Sequence, residues 1–252
     1  MKVIISPAKK LNEKSCAIKS KSSIPFSKDS EVLIKELKNF SSDQLKSLMG
    51  VSSSIANLNK QRFNDWSYPF NGSSKPAVFM FDGAVYNELD VQSLNEQDIL
   101  YMQDNLRILS GLHGVLKPLD LIKPYRLEMG TKLKTQRGKN LYEFWGNKIT
   151  HALNVAIQKS SSKFLLNLAS NEYFSSINSS NINADIVDVK FLDKKKDAYK
   201  TISFFAKKAR GTMAAFMLKN KIKDINNLKS FSGLGYLYDS DRSTKNSLVF
   251  IR

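Results

Sequence analysis

A mixed fold, α/β or α+β, built on a mixed sheet is what this sequence predicts, and two observations carry the expectation. Short apolar runs closed by turn residues alternate along the chain with stretches whose apolar residues recur at helical spacing. The 252 residues are 42% hydrophobic and 10% aromatic, enough for a sizeable core. No repeat, linker or low-complexity block interrupts them, so residues 1–252 read as a single domain.

The elements follow in order. Val3, Ile4 and Ile5 read as a buried strand that stops at Ser6-Pro7, because proline has no N–H for a ladder. Lys9 then sits just past a strand end. Ser15 to Lys28, rich in Ser and Lys and without period, reads as a surface loop. From Asp29 to Trp66 the spacing of Leu33, Leu37, Leu45, Leu48, Ile55 and Phe63 predicts two or three helices, with Ser42 and Ser52 as N-caps. "PAVFMFDG" (Pro76–Gly83) predicts an apolar strand. In "NEQDILYMQDNLRIL", Ile99, Met102, Leu106 and Leu109 share a helical face, which predicts a helix running into Ser110-Gly111. "LYEFWGNKITHALNVAI" reads as one amphipathic helix. "KFLLNLAS" and "ADIVDVKFLD" read as strands, the latter forming a hairpin with "AYKTISFFA". "KKARGTMAAFMLKN" predicts a helix, and "GLGYLY" and "SLVFIR" predict closing strands.

Thirty-nine Lys and Arg against twenty-three Asp and Glu give a net charge of +16, whose field attracts polyanions. Nucleic acid or an anionic metabolite is the natural partner, unless the lysines are merely scattered over the solvated surface. They do cluster: seven basic residues fall between Lys117 and Lys139, and Lys207, Lys208 and Arg210 open a predicted helix, where cations oppose the macrodipole and invite an anion. Cys16 is the single cysteine, which excludes an intrachain disulfide and a cysteine-based zinc site. With no signal-peptide core and no long apolar span, a cytoplasmic protein is expected. No metal and no cofactor is expected either. The two histidines, His113 and His151, form no ligand motif, and Asp239–Asn246 lacks the glycine and distal glutamate of a calcium loop.

The stretch "LSGLHGVLKPLDLIKPYRLEMG" concentrates the question of function. Gly111 and Gly114 allow backbone N–H groups to face outward, which is how glycine loops reach phosphate oxygens. A helix-hairpin-helix element uses that device on DNA, although Gly111-Leu112-His113-Gly114 is one residue longer than the usual Gly-x-Gly and Pro124 shortens the second helix. The alternative is a tight turn needed only for folding.

"ISPAKKL", "FDGAVY", "LSGLHGVLKPLDLIKPYRLEMG", "NLASNEYF" and "ISFFAKKARGTMAAF" occur in the same order as in the YaaA family of bacterial peroxide-stress proteins, which this chain resembles over nearly its whole length. The resemblance implies a cytosolic single-domain α/β protein with a central mixed sheet wrapped by helices, a basic cleft, a helix-hairpin-helix element, DNA binding and a role in limiting oxidative DNA damage. His113 stands where members commonly have tyrosine, and Ala84 where an acidic residue is frequent.

Two functional expectations result. In the first, the partner is DNA, non-B or damaged structures included, read through backbone and shape. Gly111 and Gly114 present N–H groups, while Lys117, Lys123, Arg126, Lys207, Lys208 and Arg210 neutralise phosphates. In the second, Lys9, Glu128, Asn167, Ser170, Glu172 and Tyr173 converge in a cleft that acts enzymatically on a nucleotide or nucleobase. An ion-pair network with a purely structural role is the alternative for these cleft residues.

Overall fold

The computed structural model describes residues 1–14, 20–70 and 74–252. Cys16 and the start of the expected Ser15–Lys28 loop lie outside the described residues. The rest of that loop is not all at the surface: Ile24 is buried, and Ser22 exchanges main-chain hydrogen bonds with Leu119 and Leu121.

Strand β1 (Lys2–Ile5) is buried throughout, and after the Ser6-Pro7 break comes the two-residue strand β2 (Lys10–Leu11). Three helices follow as the spacing predicts, α1 (Ser27–Lys38), α2 (Ser42–Met49) and α3 (Ser53–Asn64). Ser52 caps α3 as expected, whereas the cap of α2 is Ser41, one residue earlier, in a reciprocal capping box with Gln44. "PAVFMFDG" is not a continuous strand: β3 (Lys75–Pro76), the single turn α4 (Ala77–Met80) and β4 (Phe81–Asp82) divide it. A run that is apolar at every position has no period to separate a buried strand from a buried helical turn.

Helix α5 (Ala84–Leu89) precedes α6 (Glu96–Asn105), which ends four residues before the predicted point. Leu106–Ser110 is instead β5, buried at every position, and it turns back antiparallel into β6 (Gly114–Leu116), with Ser110 opposite Gly114. The expected helix-hairpin-helix is therefore a β-hairpin flanked by strands. After β7 (Leu121–Ile122), the single helix predicted from Leu141 is two, α7 (Leu141–Trp145) and α8 (Lys148–Lys159), with the chain turning at Gly146. Then come β8 (Phe164–Leu168), the short α9 (Asn171–Phe174), β9 (Asp185–Lys195) and β10 (Ala198–Lys200). Helix α10 (Ser203–Lys219) starts earlier than expected and takes Phe204 and Phe205 out of the predicted hairpin. β11 (Leu237–Thr244) and β12 (Ser247–Ile251) close the chain.

The main sheet has the order β11-β12-β9-β8-β1-β5-β6, with β10 added to the end of β9. Its interior pairs are parallel and its edge hairpins antiparallel, so it is a mixed sheet as predicted. The chain places β5 on one side of β1 and, later, β8 on the other, so the strand order reverses at β1. In open α/β sheets the crevice at the carboxyl ends of such strands is the favoured ligand site. Above that crevice α10 lies against α5 at very close approach. A Cβ on Gly211 would come within 2.2 Å of the Val85 carbonyl oxygen, so glycine there sets how low α10 can sit.

His113, inside the β5–β6 hairpin, is fully buried, with Nδ1 2.8 Å from Ser30 Oγ and the rings of Tyr125 and Phe70 edge-on to it. Burial pulls its pKa down from 6.5 to about 3, so the folded protein keeps the imidazole neutral. The unfolded chain takes up a proton near pH 6.5 that the folded chain refuses until about pH 3. Stability is therefore unaffected above that window and falls as pH drops through it, at up to about 1.4 kcal/mol per pH unit. Urea midpoints measured between pH 7 and pH 5 should show this decline, and His113→Phe should flatten it.

Candidate functional site

A cavity of about 460 Å³ opens beyond the carboxyl ends of β1 and β8, within the size range of small-ligand pockets. Its back is formed where two strand ends meet. Ser6 Oγ accepts from the Ser170 N–H at 2.8 Å and lies 3.2 Å from Ser170 Oγ, while Tyr86 Oη donates to the Ser6 carbonyl at 3.0 Å. Tyr86, Tyr125 and Tyr173 face the cavity from below and are buried. Burial raises all three phenols above the usual tyrosine range, so each stays neutral. Tyr125 is further fixed by a 2.6 Å hydrogen bond between its hydroxyl and Ser110 Oγ.

The charged rim has an internal logic. Glu128 is held between two cations: Oε1 accepts from Arg126 Nη2 at 2.9 Å and Nε at 3.2 Å, and Oε2 lies 2.7 Å from Lys9 Nζ. Asp82 pairs with Lys10 at 2.7 Å. Glu172 Oε1 accepts from the Gly130 N–H at 2.9 Å and makes no ion pair among the described residues. From the second turn of α10 come Lys207 and Arg210. Neither has a hydrogen bond or ion pair among the described residues, and Arg210 Nε is buried with nothing to donate to. Burial lowers the Arg210 pKa from its high reference, yet a guanidinium remains charged at neutral pH. A half-buried cation without a counter-charge is costly to keep, and an anionic ligand would complete it. Five cationic and three acidic side chains line the cavity, and two of those acids are already engaged by Lys9, Arg126 and Lys10.

The structure thus brings Lys9, Arg126, Glu128, Ser170, Glu172, Tyr173, Lys207 and Arg210 to one place, although they span the whole chain. Asn167 lies beneath them, donating to Asp188 Oδ1 at 2.7 Å and accepting from the Ala169 N–H at 3.0 Å, which shapes the turn into Ser170. The others are elsewhere. Lys208 is held by Glu88 at 2.9 Å, Lys123 donates to the Asp65 carbonyl at 2.9 Å, and Lys117 lines a different cavity at the opposite ends of the strands. Gly111 and Gly114 are buried. A Cβ on Gly111 would sit 2.3 Å from the Leu127 carbonyl oxygen and one on Gly114 would sit 2.9 Å from the Trp145 ring. Their missing side chains make room for protein, not for an outside phosphate.

Lys207, Lys208 and Arg210 also do not open their helix, because α10 begins at Ser203. Their macrodipole penalty is accordingly smaller than the sequence reading assumed. Tyr86, Phe81 and Val85, which complete the pocket, were not among the expected site residues. The "FDGAVY" block that carries them was the available signal.

Fold and cavity together define a mixed α/β protein whose pocket, at the point where strand order reverses, offers two cations without partners among the described residues. A family model described as peroxide stress protein YaaA matches residues 1–242. A UPF0246 protein of Aliivibrio fischeri (strain MJ11) is 49% identical over all of this chain and 98% of its own length. Another from Idiomarina loihiensis is 48% identical over the same shares. The chain belongs to the peroxide stress protein YaaA family. No helix among the described residues is long and apolar enough to cross a membrane.

Proposed function

We propose that this protein binds DNA in the cytoplasm during peroxide stress and limits oxidative damage to it, and that the binding site is the cavity at the strand ends. The observation that carries this reading is the pair Lys207 and Arg210, cationic, one turn apart on α10 and unpartnered among the described residues. They supply backbone contacts that do not depend on sequence. Phe204, 62% exposed on the first turn of the same helix and one turn from Lys207, offers a face on which an unpaired base can stack. The pocket that Lys207 and Arg210 line, apolar at Phe81, Val85 and Leu168 and polar at Ser170 and Glu172, suits a base taken out of the helical stack. The glycine hairpin has no part in this contact.

The reading favours DNA with unpaired bases over intact duplex. Fluorescence anisotropy with a bubbled duplex and matched duplexes of unrelated sequence should show tighter binding to the bubble and near-equal binding to the duplexes. Phe204→Ala should remove about 1–3 kcal/mol of bubble affinity, the usual loss for one stacked base, and change duplex affinity little. Equal affinity for bubble and duplex, unaltered in Phe204→Ala, would count against it.

A further inference from the structure

The sheet has a second concave end. Where β1, β5 and β8 begin, opposite to the cavity already described, lies a pocket of about 620 Å³ lined by Lys2, Arg107, Lys117, Lys159, Lys163 and Lys223. One carboxylate, Asp104, shares the lining. Lys2 and Arg107 are only 4% and 8% exposed, and neither forms an ion pair among the described residues. Lys2 Nζ donates to the Asp104 carbonyl at 2.6 Å, and Arg107 Nη1 to the carbonyls of Leu106 at 2.7 Å and Gln103 at 3.0 Å. Lys117, Lys159, Lys163 and Lys223 are exposed and make no side-chain hydrogen bond or ion pair among the described residues.

Main-chain carbonyls orient the two buried cations but do not neutralise them. Asp120 and Asp104 are the acids that act on Arg107, and in the pocket lining the single carboxylate of Asp104 stands against Arg107, Lys2 and four exposed lysines. Burial, and after it the Arg107 charge, lowers the Lys2 pKa from 10.5 to about 8; Asp104 opposes the shift in part, and Lys159 and Lys117 add to it. Such mutual repulsion inside a concave, partly dry surface is what an anion of several charges would relieve.

We infer that this pocket is a binding site for a chain of linked phosphates, as carried by a nucleoside triphosphate or by inorganic polyphosphate. The buried, oriented Lys2 and Arg107 form its floor and the four exposed lysines its rim. A single phosphate would engage only part of that set. The site is separate from the proposed DNA cavity by the length of β1 and does not depend on it.

Isothermal titration with inorganic tripolyphosphate, ATP and orthophosphate tests this directly. Tripolyphosphate should bind the wild-type protein, and orthophosphate should bind far more weakly. A Lys117→Ala/Lys163→Ala/Lys223→Ala variant should lose about tenfold or more in tripolyphosphate affinity. Its ligand-free melting temperature should change little, because the three exposed lysines make no side-chain hydrogen bond or ion pair among the described residues. ATP binding more tightly than tripolyphosphate would identify a nucleotide as the source, and equal binding the phosphate chain alone. Either result supports the site. Absence of binding to both, retention of full affinity in the triple variant, or loss of tripolyphosphate binding in a Lys207→Ala/Arg210→Met variant instead would overturn it. So would binding confined to a single-stranded oligonucleotide, which would make the pocket part of a nucleic-acid surface.

Discussion

Replacing Lys207 by Ala and Arg210 by Met together should lower affinity for bubbled DNA by about a hundredfold or more, since each contact to a charged group contributes roughly 1.5–3 kcal/mol. The fold should tolerate the change. Neither side chain has a polar partner among the described residues, and methionine keeps most of the apolar stem by which arginine packs. Removing a half-buried unpaired charge should leave the melting temperature unchanged or raise it. Lys208→Ala is the matched control. It breaks the 2.9 Å pair with Glu88 outside the cavity and should change DNA affinity little. Normal binding by the double variant would remove the cavity from the DNA contact altogether.

Gly111→Ala should cost about 3 kcal/mol or more of stability, or prevent folding. The atom in the way is the main-chain oxygen of Leu127, 2.3 Å from the added Cβ, and no side chain can swing aside to admit it. The turn is held from the other side as well, because Trp145 Nε1 donates to the Gly111 carbonyl at 2.9 Å. Urea unfolding measures the loss, and DNA affinity corrected for the folded fraction should not change. A stable Gly111→Ala protein that no longer binds DNA would restore the hairpin as the phosphate grip.

The two glycines show where sequence reading runs out. Gly111 and Gly114 announce close approach by something, and nothing local says whether the visitor is a phosphate or Trp145. The same ambiguity misplaced β5: Leu106 and Leu109 continue the face of α6, but together with Ile108 they also fit a strand buried on both sides, and only pairing with β1 decides between them. Elements with a clear period or a punctuating residue were legible, among them β1 stopping before Ser6-Pro7, the helices between Asp29 and Trp66, expected as two or three and found as three, and β8, expected over Lys163–Ser170 and found over Phe164–Leu168. Gathering Lys9, Glu128, Glu172 and Lys207 from four distant segments into one cleft was also expected, through strand ends and matched blocks. The pairing inside that cleft was not. Nothing in the order of residues tells that Glu128 is shared by Lys9 and Arg126 while Arg210 is left alone, because that depends on distances set by α10 lying against α5 at Gly211.

The salt dependence of binding to bubbled DNA, measured side by side for the wild-type protein and the Lys207→Ala/Arg210→Met variant, tests the central claim most directly. If both cations displace counterions from phosphates, log affinity should fall linearly with log salt in each case. The variant's line should be shallower by about 1.4–1.8, the sum of two contacts at 0.7–0.9 each. Two parallel lines would show that neither residue touches the DNA backbone, and would contradict the assignment of the strand-end cavity as the binding site.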